Sequence, residues 1–99
     1  MGWDGLSIEQ RHAHWREMER QMRTLMDALE GVLTDSEAEL VREFTDHNEY
    51  GLALEAVYDE LVEEPRTITD EAVQAVRQLA SRMNLQSRNW SELKALRDL

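Results

Sequence analysis

The chain contains no cysteine, which excludes disulfide scaffolds, thiolate metal sites and cysteine nucleophiles and fits a reducing compartment. It has one proline and four glycines, too few for collagen-like or low-complexity sequence. No apolar run approaches the roughly 20 residues that a membrane span requires. No charged-then-apolar leader opens the chain, so no secretory signal is expected. Aromatic residues make up 6% of the 99 positions. What is present fits a single folded domain: 41% hydrophobic and 32% charged residues.

Charge is the strongest signal. Eleven Lys and Arg against 21 Asp and Glu give a net charge of −10, with a sequence pI near 4.6. A nucleic-acid binder normally reads the other way. The acids are unevenly placed. Residues 1–26 are balanced, residues 27–71 carry fifteen acids against Arg42 and Arg66 alone, and residues 72–99 carry a net +3. Such a middle third repels itself and costs stability. It reads either as a solvated face or as a surface built to meet a basic partner.

The apolar periodicity is helical throughout and predicts an all-α fold, a small bundle of four main helices plus a short C-terminal helix. A Ser7/Gln10 capping box opens a helix at about 8–30. In it, Ile8, Trp15, Met22 and Leu29 form one heptad column, and Met18, Leu25 and Val32 the next. Gly31 is its expected left-handed stop. A second capping box, Thr34/Glu37, opens a helix over 35–46 with Leu40, Val41 and Phe44 turned inward. A break at Asp46-His47-Asn48 follows, with Asn48 placed to cap the next element. The third helix, about 49–64, carries Tyr50, Ala53, Leu54, Val57, Tyr58, Leu61 and Val62 as its apolar stripe and stops at Pro65. Gly51, in its first turn, leaves room for another backbone to come close. Thr69 opens the fourth helix, Asn84 is its expected stop, and Trp90, Leu93 and Leu96 suggest the fifth.

Catalytic and metal constellations are missing from the pattern. His12 and His14 are two apart on a helix and point away from each other. Glu43 and His47 share a face, but His47 reads as a backbone-bonding residue at the break. There is no phosphate-binding Gly-rich loop, no His-Glu-x-x-His and no nucleophile elbow. No enzyme activity, cofactor or metal is expected.

On the third helix Glu55, Asp59 and Glu63 fall four apart on one row, with Glu60 and Glu64 on the next. Like charges at that spacing oppose one another by roughly 0.2–0.5 kcal/mol each. No lysine or arginine interrupts them between Glu43 and Glu64. This row predicts a docking face for a cationic surface, with Asp46, Glu49, Glu55, Asp59, Glu60 and Glu63 as recognition carboxylates and Tyr50 and Tyr58 as aromatic anchors. Trp3 and Trp90 read as packing residues or further anchors.

The stretch EFTDHNEYGLALEAVYDEL, from Glu43 to Leu61, resembles the MafI-like immunity proteins of polymorphic-toxin systems. Ile68, Ala80, Met83 and Leu85 match later, less specific parts, so the likeness spans about residues 33–85. The matched positions of its central block are Asp46, His47, Glu49, Tyr50, Gly51, Leu52, Ala53, Leu54 and Glu55. The resemblance implies a bacterial, cytoplasmic, non-enzymatic inhibitor that binds a cognate toxin domain with a basic surface, often a nuclease, without binding nucleic acid or membrane itself. The alternative from the residues is a helical adaptor or regulatory module that homodimerises through residues 8–30. A DNA-mimic inhibitor of a host nucleic-acid protein is a third reading.

Overall fold

The computed structural model describes residues 8–98, with side chains from Gln10 onward. The Ser7/Gln10 capping box, Ile8 and Trp3 lie outside the described residues or side chains. Four α-helices follow in order: α1 (Ile8–Ala28), α2 (Asp35–Asp46), α3 (Tyr50–Glu63) and α4 (Asp70–Arg82). A 3-10 helix, Trp90–Asp98, closes the described chain. Among the described residues there is no strand. α1 packs along α4, α2 along α3, and the 3-10 helix lies against α4 and α3.

The caps predicted from the sequence set several of these boundaries. The Thr34 hydroxyl accepts from the Glu37 N–H at 3.2 Å, and Glu37 Oε1 accepts from the Thr34 N–H at 2.8 Å. The Thr69 hydroxyl accepts from the Ala72 N–H at 3.1 Å. Gly31 takes φ +81° just after α1, as a left-handed stop requires. Asn48 acts differently from the expectation. It adopts φ +57° and ends α2 rather than capping α3. The Glu49 N–H bonds the Phe44 carbonyl at 2.8 Å and the Asn48 N–H bonds that of Thr45 at 3.0 Å. Those two bonds satisfy carbonyls that the end of α2 would otherwise leave open. Asn84 repeats the device after α4, with φ +53° and bonds from Leu85 to Ala80 and from Asn84 to Ser81. At Gly51 the nearest atom to a built Cβ is a Leu85 side-chain carbon at 3.7 Å, so no close backbone approach demands glycine there.

The core joins Met18, Met22, Leu25 and Leu29 of α1 to Leu54, Val57 and Leu61 of α3, Val76 and Leu79 of α4, and Leu93 and Leu96 of the 3-10 helix. In the helix read as a homodimer seam, residues 8–30, the heptad stripe from Met18 to Leu29 is buried inside one chain, while Trp15 is exposed. Three apolar residues assigned to inward stripes face out instead: Trp15 and Leu40 are each 40% exposed and Val62 is 42% exposed. Leu40 and Val62 each neighbour a fully buried residue, Val41 and Leu61, and one residue along a helix is about 100° of rotation.

Candidate partner-binding surface

The acidic row of α3 is not bare. The segment that follows α4 folds back across it. Arg88 donates from Nε to Asp59 Oδ1 at 2.8 Å and from a terminal nitrogen to Oδ2 at 3.0 Å. The same guanidinium lies 3.8 Å from Glu55. The Ser87 hydroxyl donates to Glu55 as well. Arg88 holds the Asp59 carboxyl below its usual range, chiefly through that hydrogen bond. Two of the predicted recognition carboxylates therefore already have a cationic cover, supplied by the chain itself.

Tyr58 sits under the same cover. It is 8% exposed, its ring meets Trp90 edge-on at 5.4 Å, and its hydroxyl donates to Glu92. The Trp90 indole N–H in turn bonds the Leu85 carbonyl at 3.1 Å. Tyr58 and Trp90 are thus core residues that fasten the C-terminal segment. This corrects Tyr58 as a partner anchor, because a buried ring has no surface to offer.

Glu60 belongs to a second internal network at the other end of the α2–α3 pair. Arg66 binds Glu37 with two nitrogens, at 2.7 and 3.1 Å. The side chains of Arg66 and Glu37 are only 21% and 12% exposed. Glu37 is held down at about 2 by the Arg66 hydrogen bond, with the Thr34 backbone N–H adding to it. Glu60 is pushed up, first by its hydrogen bond to Glu37 and then by burial. Glu60 thus stands half-buried against the Arg66–Glu37 pair rather than fully open to solvent.

The predicted charges that stay open lie elsewhere. Asp46 and Glu49 flank the turn between α2 and α3, both exposed, with Glu43 one turn before. None of the three makes an ion pair among the described residues. His47 stands among them and bonds the Glu43 carbonyl through Nδ1 at 2.8 Å. That bond, reinforced by Glu49, Glu43 and Asp46, raises its pKa above the ordinary value. Glu63 is also exposed, at the far end of α3 about 20 Å along the helix from Glu49. It lies apart from the corner cluster.

Tyr50 is 8% exposed, so it too is corrected from anchor to core. Its ring supports that of Trp15 at 6.0 Å between centroids. Trp15, with Leu52 at 48% exposure, forms an apolar groove beside the acidic corner. Met18, Met83, Asn48, Glu49, His14 and Arg82 line the same groove. Trp15 is the surface aromatic that the sequence reading placed in the core. The signal for it is positional. Arg82 ends α4 beside His14, with Arg82 Nη1 3.5 Å from His14 Nδ1, so the α1 stripe outruns its partner helix there.

The surface is suited to binding, through open carboxylates and two exposed apolar side chains. Among the described residues no group of three or more His, Asp or Glu side chains is placed to hold a metal ion. Nor is any described helix long and apolar enough to cross a membrane. Comparisons of the chain with protein-family models, with curated proteins and with solved structures find no match.

Proposed function

We propose that this protein is a non-enzymatic immunity protein that binds and neutralises a bacterial toxin domain with a basic surface, in the cytoplasm of the cell that makes both. The observation that carries the reading is the α2–α3 corner, where exposed Asp46, Glu49 and Glu43 make no ion pair among the described residues and Glu49 lines the groove of exposed Trp15 and Leu52. Of the nine matched positions of the block that resembles the immunity family, Asp46, His47, Glu49 and Leu52 are exposed, all at or next to this corner. Charge complementarity steers a cationic cleft to such a corner and speeds association. A tryptophan buried on contact then slows release. Glu55, Asp59 and Glu60 are internally engaged and play no primary part in this contact.

The test is co-expression with the C-terminal domain of a secreted protein encoded beside this one. Growth protected by the wild-type chain, lost with Asp46→Lys/Glu49→Lys and weakened with Trp15→Ala, is the expected result. A toxic neighbouring domain that the chain neither binds nor neutralises would overturn the proposal. Protection that survives both sets of substitutions would overturn the corner as its site.

A further inference from the structure

The face of α3 that leads out of the corner runs under the chain's own C-terminal segment. Leu52, Glu55 and Asp59 follow one another at intervals of three and four residues, so they share one side of the helix. Exposed Leu52 is about 4.5 Å along the axis from Glu55 and about 10 Å from Asp59. The segment after α4 keeps step with them. The Leu85 side chain lies beside Gly51, the Ser87 hydroxyl donates to Glu55, and Arg88 donates to Asp59. A partner that covers Leu52 therefore arrives next to Arg88.

Side chains alone hold this cover to α3. Among the described residues, no main-chain N–H of Gln86, Ser87, Arg88 or Asn89 bonds another main-chain group. The Arg88 side chain is 32% exposed and that of Asp59 is 53% exposed, so a competitor in solution reaches the pair. Ion pairs this open to water are weakly held. The geometry also names the competitor. Nε and Nη2 of Arg88 each meet one oxygen of Asp59, and Nη1 lies 3.8 Å from Glu55, so all three nitrogens of a planar guanidinium face a carboxylate. An ammonium has no such fork.

We infer that Arg88 is an exchangeable internal ligand, seated on Glu55 and Asp59 in the place that an arginine of the basic partner takes over once that partner has docked at the corner. The inference rests on the corner as the docking point and extends it along α3 by two turns. The net charge of −10 draws a cationic partner to this face. Arg88 sets the threshold for staying there. A cation without contacts at the corner competes against a guanidinium tethered to the same chain, whereas a docked partner presents its arginine at comparable effective concentration.

The experiment is fluorescence anisotropy of labelled octa-arginine against the full chain at about 0.1 M salt, where the screening length is near 10 Å. Arg88→Ala should tighten binding about tenfold. Arg77→Ala removes the same charge from an exposed arginine of α4 that makes no ion pair among the described residues, and should change affinity less than about twofold. Arg88→Lys keeps the net charge but loses the fork, so it should tighten binding about threefold; as the milder change, it reads the exchange even where alanine loosens the segment. Asp59→Asn should erase the gain of Arg88→Ala and barely move the wild type, where one guanidinium only replaces another. A gain in Arg88→Ala no larger than that in Arg77→Ala would overturn the inference and make Arg88 a fixed clamp. So would a gain that survives Asp59→Asn, which would seat the arginine elsewhere. None of these readouts needs a toxin. The gain can be absent while growth is still protected, and present where protection fails, so the two readings fail separately.

Discussion

Arg66 places its five N–H donors on carbonyls of Val32, Glu60 and Glu64 and on both oxygens of Glu37. One side chain thereby ties the α1–α2 loop, the start of α2, the end of α3 and the α3–α4 linker. Replacing it by alanine strands Glu37 with little water, and a loss of about 2–3 kcal/mol is expected in urea unfolding. Lysine should recover only part of this, since an ammonium has three donors and no planar fork. The two carboxyls of the network pull in opposite directions with pH. Glu37, depressed to about 2 from 4.5, contributes stability that is fully present above 4.5 and lost as pH falls through about 2. Glu60 is raised, so its share is full below 4.5 and is lost as pH climbs through its elevated value. Glu60→Gln keeps a donor toward Glu37 and removes the ionisation. The variant should therefore match or exceed the wild type in melting temperature at neutral pH, whereas Glu37→Gln should fall below it.

The helices themselves were legible in the sequence because their ends are written locally. Thr34 with Glu37, Thr69, Gly31, Pro65 and Asn84 all lie within a few residues of the boundary that they set. Asn48 misled because its side chain is as good a cap for a following helix as its backbone is for a preceding one. Leu40 and Val62 misled because a single turn of apolar sequence does not say which of two adjacent residues faces the core. What the sequence could not show were the contacts between distant segments. Arg88 meets Asp59 across 29 positions, and no pattern along either element announces the pair, so the acidic row of α3 read as unopposed. Gly31→Ala should cost about 1 kcal/mol, all of it conformational, since nothing lies within 4 Å of the added Cβ. Leu93 is 1% exposed and holds the 3-10 helix on the bundle. Its truncation to alanine should cost about 2–4 kcal/mol in the same measurement. Arg88→Ala should lower stability only slightly, because its pairs are partly exposed and screened by water. It should still raise the association rate of cationic probes, since it uncovers Glu55 and Asp59.

Across the whole molecule, the charge is divided by position. α2 and α3 hold nine of the 21 acids, and no acid lies between Glu71 and Glu92. The net charge of −10 makes the folded chain repel itself. Its melting temperature should therefore rise as salt is increased from about 20 to 300 mM, most steeply at the low end, where the screening length is longest. A fall over that range would mean that the internal pairs of Arg66 and Arg88 outweigh the repulsion. The described chain is elongated, with extents of 43 × 24 × 20 Å.

The guanidinium clamp at Arg66 and the Asn48 turn occupy opposite ends of one helical hairpin, separated by the roughly 18 Å length of α2. Whatever binds at the turn therefore meets a hairpin tied down at both ends, by the buried Tyr50 ring beside the turn and by the guanidinium far from it.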